Sequence, residues 1–357
     1  MNRHETIDQK SIRKEIESLD DLKTYKSHSS DNPKEFYYIK SDNAFTKKAR
    51  LLQSVRRWQT GAECGFIQKD GITYYHPNLA KDGQTSGCNF LRPDIFRNAK
   101  MRVEKKKPYE TIRKDRLFNN FLSSQPMAFN LFYPLNEIIN NDDGKRRLAN
   151  IVSDLLDKNN RLNIEMITEV GIEFIPKYWK ECLHDKTAMD AYFRYITTDG
   201  KKGIIAIETK YTDKLGTNQA SNPQLAIDAA TGPNNGISEV FTDEGKKKIR
   251  QGEIKLTQVY RNFLLTEKVR LYEKLDESLS MVIAPKDNIS NKKDEKELSD
   301  ILKDEYKYKF QVVSLEAFVD ALIEGFPDDE IFRKFHHRYL DFRTAEWFLK
   351  QQTNIAV

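Results

Sequence analysis

The stretch Thr187–Lys214, TAMDAYFRYITTDGKKGIIAIETKYTDK, decides how the chain is read. Ala191–Ile196 is alternating and aromatic, and Asp199-Gly200 follows with Lys201 and Lys202 beside it. Asp-Gly between two strand-like runs signals a hairpin. The second run, Gly203–Tyr211, is almost continuously apolar in its first half, as expected of a strand covered on both faces in a sheet interior. Glu208 and Lys210 are set into that strand. Side chains two apart on a strand share a face, so these two point the same way, and Asp190 on the neighbouring strand can be brought beside them. Interior charges are costly unless paired or coordinated. Two carboxylates and an ammonium suit a hard divalent cation and a phosphodiester, since Mg²⁺ takes oxygen ligands and keeps several of its waters. On this reading Asp190 and Glu208 are catalytic carboxylates and metal ligands. The Thr209 backbone carbonyl supplies a third oxygen, and Lys210 stands beside the attacking water or the scissile phosphate. The competing reading is a same-face ion pair between Glu208 and Lys210 on a half-exposed strand, with Asp190 as a capping residue.

Working outward toward the N-terminus, Glu165–Pro176 alternates and is expected to be a strand. It carries Glu169 and Glu173, either of which can serve a second ion. Lys145–Asp157 reads as an amphipathic helix, and Arg116–Ile139, rich in Phe and Leu, as buried helical structure broken at Ser123-Ser124-Gln125-Pro126. Pro126 is expected at the first helical position. Ala44–Gln59 reads as a helix capped by Asn43 or Asp42, with Phe45, Ala49, Leu52 and Val55 on its packing face and Lys47, Lys48, Arg50 and Arg57 on a basic face. Before it, Ser11–Tyr25 has a narrow apolar stripe and Phe36–Ile39 is a short strand candidate.

Toward the C-terminus, Leu215 to about Phe241 is loop-like, with a short helix near Pro223–Ala229, and loops this long are often functional. Gly252–Lys274 is the clearest long helix. Leu279–Ala284 and Tyr308–Val313 are strands, Ser314 caps the helix Leu315–Gly325, and Asp329–Lys350 is amphipathic. The order helix, strand, strand, strand, long helix, strand, then strand and helix predicts an α/β fold around a central mixed β-sheet flanked by helices. Three regions are expected: an N-terminal extension, 1–114, with a basic helix and small strands; a core, 115–284; and a C-terminal strand and helices, 285–357, completing or covering it.

The set Asp190…Glu208-Thr209-Lys210 resembles the active site of the PD-(D/E)XK nuclease superfamily, with Met189 where proline is frequent. The superfamily's common unit, helix–strand–strand–strand–helix–strand, corresponds to roughly Arg116–Val282. SSQPMAFNLFYPL (Ser123–Leu135), EVGIEFIP (Glu169–Pro176), QVYRN (Gln258–Asn262) and NFLRP (Asn89–Pro93) are similar to bacterial restriction endonuclease-like members. The resemblance implies a restriction-endonuclease-like core and a Mg²⁺-dependent deoxyribonuclease, with Mn²⁺ able to substitute. It further implies an endonuclease of restriction or phage defence, acting on DNA as a homodimer or with a defence-system partner protein. The superfamily places a helix where Gln258 and Arg261 lie, so one of these is expected near the phosphate. The alternatives are a non-cleaving nucleic-acid-binding module and a partner-dependent subunit of a defence complex.

Charge agrees with a nucleic-acid partner without requiring one. Lys+Arg number 59 and Asp+Glu 54, a net +5. Basic clusters at Lys105, Lys106 and Lys107, and at Lys246, Lys247, Lys248 and Arg250, are candidate DNA contacts. Cys64, Cys88 and Cys182 are far apart and form no zinc spacing, which fits a reducing, cytoplasmic compartment. No run approaches the ~20 apolar residues of a membrane span, and MNRHETIDQK lacks the apolar core of a signal peptide.

Overall fold

A computed structural model of the chain describes residues 42–346, apart from 70, 157–161, 185, 213–222, 234, 255–256 and 289–291. The expected helix Ser11–Tyr25, the strand Phe36–Ile39, the first part of the loop after Tyr211 and the end of the C-terminal tail lie outside the described residues.

The decisive stretch folds as a hairpin, β4 (Met189–Thr197) and β5 (Lys202–Thr209), paired antiparallel from Ile196↔Lys202 to Ala191↔Ile207. Gly200 takes the left-handed backbone its turn needs, φ +82°. The Thr197 hydroxyl donates to the Asp199 carboxylate, and Lys201 N–H donates back to the Thr197 hydroxyl, at 2.9 Å. β3 (Ile164–Phe174) adds antiparallel to β4, while β6 (Glu277–Ala284) and β7 (Phe310–Ser314) add in parallel beyond β5. The five-stranded order is β3-β4-β5-β6-β7, so β5 is central, as its continuous apolar run demands. A separate hairpin pairs β1 (Cys64–Lys69) with β2 (Ile72–Ala80).

Strand periodicity sorts the core into two layers. Phe193, Tyr195, Ile205, Ile207, Met281 and Ile283 face one side. They pack there against α3 (Ser124–Phe132), α4 (Asp142–Leu156), α9 (Leu315–Gly325) and α10 (Glu330–Tyr339). Tyr192, Ile204, Ala206 and Val282 face the other. That layer is covered by α5 (Pro223–Thr231), α6 (Asp243–Arg250), α7 (Gln258–Tyr272) and α8 (Lys292–Ile301). Glu208 and Lys210 have the parity of Ile204 and Ala206, so they rise toward α7. The helix α1 (Ala44–Gln59) has Asn43 as its cap, accepting from Thr46 N–H at 2.7 Å, and joins the first layer through Phe45 and Ala49. The helix α2 (Pro93–Glu104) lies between the β1–β2 hairpin and α3 in the chain and packs Ile95 and Ala99 inward. None of the described helices is long and apolar enough to cross a membrane.

Two local expectations change. Arg57 is not on an outward basic face: it is 1 % exposed, and its guanidinium donates to the carbonyls of Pro77 and Ala62, because the β1–β2 hairpin folds over that side of α1. Pro126 is the third residue of α3 rather than the first, since Ser123 is the cap and accepts from Gln125 N–H at 3.2 Å.

Glycine lets the aromatic side chains of β4 cross the sheet. Tyr195 lies opposite Gly203 and Tyr192 opposite Gly171, with each ring over the glycine. A Cβ at Gly203 would sit 2.2 Å from the Tyr195 ring, and Tyr195 is 1 % exposed with no room to swing away. Gly203→Ala is therefore expected to cost about 1–3 kcal/mol by overpacking, read as a lower midpoint in chemical denaturation. An unchanged midpoint would contradict this packing.

Candidate active site

The β4–β5 ladder ends at Ala191↔Ile207, and the next backbone donor, Thr209 N–H, is taken by the Asp190 carboxylate at 2.7 Å. The same oxygen, Oδ2, accepts from the Thr209 hydroxyl at 2.9 Å. Lys210 N–H donates instead to Ile283 O on β6, at 2.9 Å. Because N–H and C=O of one strand residue point to the same edge, the Thr209 carbonyl opens on the Asp190 side.

Glu208 is 2 % exposed at the end of this strand. Its Oε2 accepts from Asn262 Nδ2 at 2.5 Å, and its Oε1 faces the Lys210 ammonium in an ion pair. The ammonium also donates to Gln258 Oε1 at 3.0 Å. Gln258 and Asn262 are one helical turn apart on α7, the helix laid over this face of the sheet. Arg261, between them, donates to the Thr187 hydroxyl at 3.1 Å. Thus the end of β5 and the residue after it supply a carboxylate and an ammonium, and α7 fixes each with an amide.

A further buried carboxylate comes from the edge strand. Glu173 adopts φ +53°, a backbone conformation that a residue with a side chain takes at a cost of ~1–3 kcal/mol. Two contacts hold it there: Arg102 Nη2 donates to its carbonyl at 2.9 Å, and Gln125 Nε2 donates to its carboxylate at 2.7 Å. Glu169 goes elsewhere, to Arg194 at 3.2 Å and the Tyr192 hydroxyl.

Glu173, Asp190, Glu208, Lys210, Gln258 and Arg261 all line one cavity of about 380 Å³. Burial, then the neighbouring charge of Asp190, pushes the Glu208 carboxyl up to about 7, with Lys210 and Asn262 opposing. Glu173 is pushed up for the same two reasons, against the Gln125 hydrogen bond. Carboxylate is therefore in excess over buried cation, which is the imbalance a bound cation relieves. The acidic donors are all oxygen, and no cysteine or histidine lines the cavity, a donor set for a hard ion. Among the described residues no three His, Cys, Asp or Glu side chains form a metal-holding group. An ion on Asp190 and Glu208 must then complete its shell with backbone carbonyl, water or phosphate oxygen, as Mg²⁺ commonly does.

The basic clusters picked out in the sequence do not line this cavity. Lys106 donates to Ile112 O at 3.0 Å, Lys246 and Lys248 pair with Asp243 and Glu244 of their own helix, and Arg250 donates to Thr231 O at 2.8 Å. Lys105, Lys107 and Lys247 are exposed. The cations that do line it, besides Lys210 and Arg261, are Arg113, Arg116 and Lys186. Sequence reading missed Asn262, Gln125 and the Thr209 hydroxyl as supports. The only signals available were the helical spacing of Gln258 and Asn262 and the polar Ser-Ser-Gln before an apolar helix.

No match was found among curated proteins or among solved structures. A family model described as the PD-(D/E)XK nuclease superfamily matches residues 40–341, most of the chain and every element described above from α1 to α10. With the mixed five-stranded sheet and its flanking helices, this match establishes that the chain belongs to the PD-(D/E)XK nuclease superfamily.

Proposed function

We propose that the protein is a divalent-metal-dependent deoxyribonuclease, an endonuclease of restriction or phage defence, with Mg²⁺ as its ion and Mn²⁺ able to replace it. The observation that carries this reading is the convergence of Glu173, Asp190, Glu208 and Lys210 on one polar cavity at the end of a buried strand.

In this mechanism Asp190, Glu208 and the Thr209 carbonyl hold the ion. When bound, it neutralises phosphate charge and acidifies water. Asp190 is oriented by two donors from Thr209. Asn262 fixes one oxygen of Glu208, and the Lys210 ammonium faces the other. Lys210 keeps its ammonium at the cavity through Gln258 and orients the attacking water or steadies a non-bridging phosphate oxygen, where a fixed positive charge favours the transition state over the ground state. Glu173 is the carboxylate for a second ion. Arg261, Arg113, Arg116 and Lys186 give the cavity a cationic border that a phosphodiester backbone can follow. DNA is the proposed substrate, met by a homodimer or with a defence-system partner, in the cytoplasm. The intact acidic pair with Lys210 argues against the competing role of a non-cleaving nucleic-acid-binding module, and activity measurements separate the two.

Lys210→Ala and Glu208→Ala should each lower cleavage of supercoiled DNA in Mg²⁺ or Mn²⁺ by about 10²-fold or more, the scale for losing one preorganised charge. Binding to DNA in Ca²⁺ should stay within a few-fold. Cleavage by both variants at the wild-type rate would sink the assignment.

The raised carboxyls of Glu208 and Glu173 give a second expectation, whose sign follows from linkage. An acid more basic folded than unfolded adds stability fully below its ordinary value of 4.5, and that stability is lost as pH rises through the folded value. For Glu208 the loss falls between 4.5 and about 7. Above that window the Glu208 carboxylate is charged and binds cation best. The thermal stabilisation conferred by 10-fold increments of Mg²⁺ should therefore be larger at pH 8 than at pH 6. Equal shifts at both pH values, or a larger one at pH 6, would count against these carboxylates as the ion's ligands.

A further inference from the structure

A second and larger cavity, about 530 Å³, runs along the free edge of β3 and shares Glu173 with the first. Its size is within the ~300–1,000 Å³ usual for small-molecule sites. Tyr109, Tyr133, Asn98 and Asn136 are among the residues that line it. Among the described residues the Asn98 amide, the two tyrosine hydroxyls and the Lys177 ammonium of the same wall make no hydrogen bond or ion pair with protein. The Tyr109 and Tyr133 rings stack on no other ring there. Asn136 spends one N–H on Tyr133 O, at 3.3 Å, and keeps its carbonyl oxygen. The set thus combines unstacked aromatic faces with unspent donors and acceptors beside a cation. In the wall of this cavity one nitrogen of the Arg102 guanidinium donates to Glu110 at 3.1 Å and to the carbonyl of the shared residue Glu173 at 2.9 Å.

We propose that this cavity is a nucleobase pocket, taking one base of the substrate strand beside the phosphate held in the catalytic cavity, with a preference for adenine. The proposal rests on the nuclease reading above and adds its specificity element. Aromatic faces take any base by stacking. An amide that carries a donor and an acceptor side by side matches N6 and N7 of adenine in a bidentate pair, and Asn98 has such an amide unspent. Lys177, which lines the same cavity, is then the cation for the base's own phosphate. A base reaches such a pocket unstacked, either from single-stranded substrate or extruded from a duplex. The shared wall at Glu173 then couples the identity of that base to the position of the phosphate.

The test uses the full chain without metal, in EDTA, with the four deoxynucleoside 5′-monophosphates as probes and saturation-transfer NMR as the readout. dAMP should bind about 5- to 100-fold more tightly than dCMP or dTMP, the range for one bidentate amide contact. Asn98→Ala should bring the four within about threefold of one another, while Lys210→Ala should leave the dAMP preference intact. If Asn98→Ala does not fold by circular dichroism, Tyr109→Ala serves, with loss of saturation transfer to all four bases expected. Absence of binding, equal binding of the four by the wild type, or loss of the preference in Lys210→Ala would overturn the pocket. Cleavage of DNA without base-selective nucleotide binding would leave the nuclease reading and remove the pocket. Base-selective binding in a protein that cuts no DNA would do the reverse.

Discussion

A carboxylate and an ammonium at the end of a strand buried on both faces must be compensated, and the arrangement around them follows from that. Glu208 and Lys210 are 2 % and 6 % exposed, and taking charges of this kind out of water costs several kcal/mol each before any pairing. Their mutual ion pair offsets part of this, and the amides of Asn262 and Gln258 take remaining valences. Asp190 meets its own requirement through Thr209. What is left over is negative. Glu208 and Glu173 both hold protons more tightly than ordinary carboxyls because each is buried and faces Asp190. A fold that only needed a stable core could replace such a cluster with apolar side chains at little or no loss. Perturbed, convergent groups in a cavity are instead the pattern of a working site.

The scaffold explains how the cluster is held. Parallel pairing of β5 with β6 requires a crossover, and α7 belongs to that crossover, so the same topology that makes β5 central lays the amides of α7 over its end. The antiparallel β3–β4–β5 portion brings Asp190 and Glu173 to the same end from the other side. The strain at Glu173 is local and over-determined by Arg102 and Gln125, in the manner of backbone outliers that aim a functional side chain.

Much of this was legible in the sequence, and the reasons are specific. The Asp199-Gly200 turn and the apolar run after it fix the β4–β5 register, and that register alone puts Asp190 near Glu208. The boundaries of α1 and α9 were readable because Asn43 and Ser314 are strong caps at their starts. The supports were not readable. Gln125 meets Glu173 across 48 positions and Asn262 meets Glu208 across 54, and nothing local marks such pairs. Arg57 was misplaced by helical periodicity, which knows only one partner face, whereas α1 is covered on a second side by the small hairpin. Runs of lysine drew attention to Lys105–Lys107 and Lys246–Lys248, yet the cations at the cavity, Arg113, Arg116 and Lys186, are scattered in sequence and gathered by the fold.

The central claim is that the leftover negative charge is a site for a hard divalent ion. Its most direct test is Mn²⁺ binding by electron paramagnetic resonance, comparing the wild type with Asp190→Asn and Glu208→Gln, which keep shape and remove charge. The account predicts saturable Mn²⁺ binding in the wild type, displaced by excess Mg²⁺, and weakened at least tenfold in each variant while circular dichroism is unchanged. Mn²⁺ binding of equal strength in all three folded proteins would contradict it.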